Sequence, residues 1–140
     1  MSTKWMRRTL WLAGWYNVLW GAWAILFPAA WFDWSGMPRP NHPWLWQCIG
    51  MIVGVYGVGY WLAATDPLRH WPVVFVGFLG KLFGPIGFAW NAARGEVPWI
   101  AGIVNITNDL VWLWPFGVIV WSGWQADRRR LAAPSGDRAP

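Results

Sequence analysis

Four long apolar stretches run through the chain, each close to the length that an α-helix needs to cross a bilayer. They cover residues 9–27, 44–65, 71–92 and 99–124. Roughly 20 apolar residues span the ~30 Å of hydrocarbon in a membrane. The pattern therefore predicts an all-α integral membrane protein with four transmembrane helices, in a single domain over residues 1–125.

Prolines and charged residues mark the connections between these stretches. Pro28 follows the first stretch, and residues 31–43 hold three prolines and both signs of charge, which predicts a loop. Asp66 and Pro67 end the second stretch, and residues 94–98 form a short turn before the fourth. Because short connections make consecutive helices antiparallel neighbours, we expect an up-down-up-down bundle.

The basic residues indicate which side of the membrane each end occupies. With both ends in the cytoplasm, eight Lys and Arg side chains lie inside and two outside, as the positive-inside rule requires. The tryptophans fall into two belts at the interfaces that this topology implies, where an indole ring is favoured. Residues 126–140 are basic and then rich in Pro, Ala and Gly, which predicts a disordered cytoplasmic tail.

Composition and charge agree with a membrane protein. Apolar residues make up 56% of the chain and charged residues 12%, about half of what a soluble domain carries. The net charge of +5 lies at the ends and in the connections, so we attribute it to anionic headgroups and exclude nucleic acid as a partner. We expect a multi-pass membrane protein, with the lipid bilayer, a larger membrane complex or a homo-oligomer as partners.

Two charged residues in the middle of apolar stretches are the main candidates for function. Lys81 lies ten residues after the start of the third stretch, and Asp109 lies ten residues after the start of the fourth. At ~1.5 Å per residue, both reach a depth of ~15 Å. An isolated charge there is unfavourable by several kcal/mol, so we expect a Lys81–Asp109 ion pair near the midplane.

Helical spacing assigns neighbours to this pair. Glycines three or four residues from Lys81 form a face that favours close helix packing, and Pro85 is expected to kink the helix beside it. Four residues share a helix face with Asp109, namely Asn105, Asn108, Trp112 and Phe116, and the first stretch contributes Asn17. The predicted ligand-binding or polar-core residues are therefore Lys81, Asp109, Asn108, Asn105, Asn17 and Trp112.

These residues have two interpretations, which the sequence leaves open. They form either a structural polar knot that fixes helix register, or a site for a quinone, a lipid-like molecule or a proton. Ionisable residues inside a membrane are functional by default, yet a paired Lys and Asp on adjacent helices also stabilises a bundle. No catalytic residue is assigned, and no cofactor beyond a quinone is favoured.

The histidines and the single cysteine carry weaker expectations. His42 and His70 lie on opposite sides of the predicted membrane, so they do not clamp one haem between them. A single interfacial histidine is more often a headgroup contact than the ligand of a haem or chlorin. Cys48 has no CxxC partner and is expected to serve packing, so we expect no disulfide framework and no metal site.

The architecture and four motifs resemble a known family. The motifs are WQCIGMIVGVYGVGY, DPLRHWP, GKLFGPIGF and NDLVWLWPF, within residues 46–116. With them the chain resembles the DoxX-like group of small bacterial four-helix membrane proteins, some relatives of which are labelled alkyl hydroperoxide reductase. The resemblance implies a quinone-linked or accessory subunit of the bacterial inner membrane. It does not carry a peroxidase activity to this chain, because such chemistry needs an activated cysteine and usually a resolving one, whereas Cys48 is single.

These observations lead to an expected function with two alternatives. We expect a non-catalytic or accessory inner-membrane subunit that binds a hydrophobic small molecule, quinone-like or lipid, or a partner complex, around Lys81 and Asp109. The first alternative is a membrane-embedded enzyme or proton-coupled carrier in which Asp109 exchanges protons. A carrier would need oligomerisation, because 140 residues give no inverted repeat of ordinary transporter length. The second alternative is an assembly factor with no ligand.

Overall fold

The computed structural model describes residues 2–132, and within them it is helical with no β-strand. Four helices are long and one is short. They are α1 (Thr3–Leu26), the short α2 (Ala30–Ser35), α3 (Pro43–Thr65), α4 (Trp71–Ala93) and a last helix (Trp99–Ala132).

Three of these helices are long and apolar enough to cross a membrane. They are α3, α4 and the last helix, with a mean hydropathy of 1.4 to 1.6 over their most apolar 18 residues. Their outward surfaces carry large apolar side chains such as Val55, Val76 and Trp114, all at least half exposed. The helices therefore present the kind of surface that lipid covers. The helix α1 has 24 residues but is not among the three.

Glycines let α1 and α3 pack with their backbones in contact. A Cβ atom on Gly57 would lie 2.6 Å from the carbonyl oxygen of Gly14, and one on Gly50 would lie 2.9 Å from that of Gly21. These distances leave no room for a side chain, so the close approach depends on glycine. The Arg7 guanidinium also donates a hydrogen bond to the carbonyl of Thr65, which satisfies a terminal carbonyl of α3.

The last helix is irregular in its first half. It begins with a 3₁₀ turn (Trp99–Gly102) and an α-helical turn (Ile103–Asn105), passes through a π-helical turn (Ile106–Leu110), and continues as an α-helix (Val111–Ala132). In the π turn the Val111 N–H bonds back to the carbonyl of Ile106. A π turn inserts extra length into a helix, so it rotates the side chains before it relative to those after it.

The ends of the first and last helices differ from the sequence-based predictions. The first helix begins at Thr3, because the Ser2 hydroxyl accepts a hydrogen bond of 3.2 Å from the Lys4 N–H and caps it. The last helix continues to Ala132, so the start of the predicted disordered tail is helical. The Trp71 indole donates a 2.7 Å hydrogen bond to the Asp127 carboxylate and ties that segment to α4. The rest of the predicted tail, residues 133–140, lies outside the described residues.

The predicted loop over residues 31–43 contains the short helix α2. Gly36, with a φ of 69°, ends that helix in a left-handed conformation that suits glycine. The Arg39 side chain then folds back onto Asp33 through two hydrogen bonds of 2.6 and 2.7 Å. These hydrogen bonds to the Arg39 guanidinium lower the pKa of the Asp33 carboxyl below its ordinary value.

The buried core draws on all four long helices. Met6 and Leu10 come from α1, Tyr60 from α3, Val74 from α4 and Phe116 from the last helix. The rings of Tyr60 and Phe116 meet edge to face, with their centroids 4.9 Å apart. This aromatic pair lies next to the buried polar residues of the bundle.

Candidate functional site

A polar pocket of about 200 Å³ lies between α1, α3, α4 and the π turn of the last helix. Its polar residues come from all four of these elements. They are Asn17, Tyr56, Tyr60, Lys81, Asn108 and Asp109.

Lys81 is buried in the wall of this pocket that α4 supplies. Its side chain is 4% exposed, and its Nζ donates a 2.5 Å hydrogen bond to the main-chain carbonyl oxygen of Asn108. The Nζ also lies 5.9 Å from the centroid of the Phe116 ring, within the range of a cation–π contact. An ammonium group carries three N–H donors, so two remain for other partners.

Asp109 lies in the π turn and is 6% exposed. Its Oδ1 accepts a 2.8 Å hydrogen bond from the side-chain amide of Asn108. Its Oδ2 faces Gly84 of α4, where a Cβ atom would come within 3.1 Å of that oxygen. The absence of a side chain at Gly84 thus makes room for the carboxylate.

The structure corrects the expected direct ion pair between Lys81 and Asp109. Among the described residues, the salt bridges join Arg39 to Asp33, Arg94 to Glu96 and Arg130 to Asp127. Lys81 and Asp109 share the pocket, but they are linked through Asn108, whose carbonyl binds the ammonium while its amide binds the carboxylate. The π turn is the physical reason, because it breaks the regular helical pattern at Asn108 and Asp109.

Two amide oxygens at the site have no hydrogen-bond partner within the described residues. They are the Oδ1 atoms of Asn17, which is 3% exposed, and of Asn108. A buried polar atom without a partner is unfavourable by about 1–3 kcal/mol. In a native protein such an atom usually forms a hydrogen bond with water or a ligand. The pocket therefore offers unused acceptors as well as unused donors.

The structure does not bring every predicted site residue into the pocket. Asn105 is half-buried beside Gly84 and does not line the pocket. Trp112 packs on Tyr16 and Phe116, and its indole N–H bonds to the carbonyl of Thr107. The π turn separates Trp112 from the pocket, because the regular helical spacing that placed it on the face of Asp109 does not hold through that turn.

Two pocket residues, Tyr56 and Tyr60, were not among the predicted site residues. They lie four residues apart on α3, and Tyr60 is fully buried with its hydroxyl against Gly77. A pair of tyrosines at this spacing within an apolar helix is the sequence feature that identifies them. The apolar lining residues Ile52 and Val53 show no comparable feature.

The histidines and the cysteine lie away from this pocket. His42 immediately precedes α3 and His70 immediately precedes α4, so the full length of α3 separates them. Cys48 is exposed on α3. Within residues 2–132, no group of three or more His, Cys, Asp or Glu side chains is arranged to hold a metal ion.

Comparisons with known proteins do not identify a family, since no family model, curated protein or solved structure matches the chain. The chemistry of the pocket is the remaining guide. Lys81 and Asp109 carry opposite charges within one small site, and spare donors and acceptors surround them. Such a site suits an uncharged polar group that both donates and accepts hydrogen bonds.

Proposed function

We propose that this protein is a non-catalytic or accessory membrane subunit that binds the polar head of a hydrophobic small molecule, quinone-like or lipid. The observation that carries the proposal is the pocket itself. Three helices each contribute a polar side chain that is 6% exposed or less, and these are Asn17, Lys81 and Asp109. A few converging polar groups in a largely apolar pocket are typical of a small-molecule binding site.

The unused hydrogen-bonding groups favour a ligand site over a purely structural knot. A knot that serves only stability is expected to satisfy its own donors and acceptors, because a partly satisfied buried network is less stable than an apolar core. Here the side-chain oxygens of Asn17 and Asn108 lack partners, and Lys81 uses one donor of three. A bound polar group would complete these interactions.

The proposal includes a four-span topology with both ends in the cytoplasm of a bacterium, and a relationship to the DoxX-like group. Three helices meet the requirements for a span, and α1 would supply the fourth. Its 24 residues give a length of about 36 Å, and its outward face carries Trp11, Leu12 and Leu19, which are half exposed or more. Lys4, Arg7 and Arg8 would then lie at the inner interface.

Native mass spectrometry of the protein in a mild detergent tests the proposal. We expect a bound small amphiphile in the wild-type protein and in Lys4→Met, which alters an exposed lysine. We expect its loss in the double variant Lys81→Met/Asp109→Leu, which removes both charges together and so avoids leaving one unpaired. A folded double variant that keeps the ligand would assign the ligand to another place on the protein.

A proton-coupled carrier is the second candidate, and the link from Lys81 through Asn108 to Asp109 is the observation that favours it. Such a chain places a carboxylate beside a cation in a site that opens to a cavity. Liposomes that hold the protein and a pH-sensitive dye distinguish the two candidates. A carrier would dissipate a pH gradient when its substrate is added, and Asp109→Asn would abolish that flux. A binding subunit would leave the gradient intact.

A further inference from the structure

We infer that the ligand reaches the pocket sideways from the lipid hydrocarbon, through a cleft between α3 and α4. The mouth of this cleft is formed by Ile52, Tyr56 and Gly80. We further infer that the ligand is an uncharged amphiphile with a head of one ring, whose apolar chain stays in the cleft. This inference rests on the proposed binding function and adds the route and the chemical class.

The cleft arises because α3 and α4 touch near their shared turn and diverge farther from it. Close to the turn, Gly59 lies against Val73 and Tyr60 lies against Gly77. Farther along, Gly80 of α4 faces open space, since a Cβ atom there would meet nothing within 4 Å. The helices therefore enclose a wedge that widens away from the turn, with the pocket in its interior.

The mouth residues connect the lipid-facing surface to the buried charges. Ile52 is 51% exposed and Tyr56 is 36% exposed, yet both line the same pocket as Lys81, which is 4% exposed. Gly80 is exposed too and directly precedes Lys81. The pocket is thus open at its side, between the two helices.

The depth of this mouth in the membrane determines whether a ligand enters from water or from the lipid hydrocarbon. Gly80 is nine residues into α4, which corresponds to about 14 Å along the helix axis. In a hydrocarbon layer of ~30 Å, this position is close to the midplane. A molecule that enters there must already be dissolved in the lipid, and an apolar chain provides that solubility.

The size and charge of the pocket define the head of the ligand. A cavity of roughly 150 Å³ holds a benzene molecule, so the 200 Å³ available here suits one substituted ring. Lys81 and Asp109 balance each other, which favours an uncharged head. A ring hydroxyl would accept a hydrogen bond from Lys81 and donate one to an oxygen of Asp109 or Asn17. A phospholipid head with its two chains exceeds this space.

Photolabelling in lipid nanodiscs tests the inference. The probe is a phenol with a single long alkyl chain that carries a diazirine close to the ring, and the labelled residues are mapped by peptide mass spectrometry. Gly80→Leu fills the mouth, and Gly87→Leu is the matched control. Gly87 is another exposed glycine of α4 with nothing within 4 Å of a Cβ atom, but it does not line the pocket. Ile52→Trp closes the mouth from α3 should Gly80→Leu fail to fold.

We expect labels on Ile52 and Tyr56 that fall by about tenfold or more in Gly80→Leu or Ile52→Trp and stay within about twofold of wild type in Gly87→Leu. Labelling in Gly80→Leu equal to that in Gly87→Leu overturns the side opening. The proposed function still stands in that case if Lys81→Met/Asp109→Leu loses the label. Equal labelling of all variants overturns both, because the cleft would then be an ordinary lipid-facing surface. Equal labelling by a diazirine phospholipid overturns the inferred one-ring head, while the proposed function, which includes a lipid ligand, stands.

Discussion

The Nζ of Lys81 donates its 2.5 Å hydrogen bond to the main-chain carbonyl of Asn108, and the side-chain amide of Asn108 donates a second hydrogen bond to the Asp109 carboxylate. The two buried charges are therefore joined by a neutral residue. Loss of either charge removes the counter-charge of the other and also one of the two groups that Asn108 binds. The two charged residues also bind different groups of Asn108, since Lys81 binds its main chain and Asp109 its side chain.

Lys81→Met should destabilise the protein more than Asp109→Asn. The first change leaves the Asn108 carbonyl without its donor and the Asp109 charge without a counter-charge, a loss of about 3–5 kcal/mol if buried pairs in soluble proteins are a guide. The second change also leaves the Lys81 ammonium without its counter-charge, but it keeps the hydrogen bond of Lys81 to the Asn108 carbonyl and an oxygen that accepts from the Asn108 amide. Reversible unfolding in mixed detergent micelles, followed by tryptophan fluorescence, measures both free energies of unfolding.

Lys4→Met serves as the control, because Lys4 is exposed near the start of α1. We expect it to change the free energy of unfolding by less than about 0.5 kcal/mol. Equal losses in the two single variants, with full recovery in Lys81→Met/Asp109→Leu, would contradict the linkage through Asn108. That pattern is what a direct ion pair produces in a double-mutant cycle.

The periodicity of the sequence predicted most of the long helices, because apolar length and proline punctuation act locally. The structure begins α3 and α4 within one residue of the predicted starts, at Pro43 and Trp71. One feature that the hydrophobic pattern did not predict is the short helix α2. The helical turn over Ala30–Ser35 is short and aromatic, and it is closed by the contact of Arg39 with Asp33. A contact of this kind is invisible to a hydrophobic pattern.

The glycines of α3 give a second test, because two of them differ sharply in their surroundings. Gly57→Ala would place a Cβ atom 2.6 Å from the Gly14 carbonyl oxygen, so the helices must separate, and we expect a loss of about 1–3 kcal/mol. Gly54→Ala meets nothing within 4 Å and should stabilise the helix by about 0.5–1 kcal/mol. Thermal unfolding in detergent measures both.

The opposite signs of these two changes are the decisive outcome. Both alter a helix-interior glycine in the same way, so differences in helix propensity cancel between them. A comparable loss in both variants would mean that the face of α3 carrying Gly54 is covered. That result would point to a second copy of the chain or another subunit on this face.

Regular helical spacing predicts some residues of the polar site correctly and misplaces another. Lys81, Asn108, Asp109 and Asn17 share a pocket, and each was a candidate from the sequence. Regular helical spacing also predicted Trp112 on this face, but Trp112 lies outside the pocket, after the π turn at Ile106–Leu110. A π turn reflects the balance of tertiary contacts around a helix, and periodicity alone does not register it.

Trp112→Phe tests what holds that π turn. The indole N–H of Trp112 donates a 3.0 Å hydrogen bond to the carbonyl of Thr107, inside the turn. Phenylalanine keeps an aromatic ring against Tyr16 and Phe116 but lacks the donor, so we expect a loss of about 1 kcal/mol. Trp121→Phe is the matched control, because Trp121 is 57% exposed. Equal unfolding midpoints for the two variants would show that the indole N–H does not support the turn.

Whether α1 crosses the membrane decides between three spans and four. In a Cys48→Ser background, Ser2→Cys and Asn41→Cys place single thiols at exposed positions before and after α1. If α1 crosses the membrane, a membrane-impermeant maleimide added to intact bacterial cells should label Asn41→Cys and spare Ser2→Cys. Both variants should react once the membrane is permeabilised, which controls for burial. Labelling of both in intact cells would mean that α1 lies along the outer surface. Three spans would then place Ser2 and the end of the last helix on opposite sides of the membrane, and the basic residues of α1 would no longer follow the positive-inside rule.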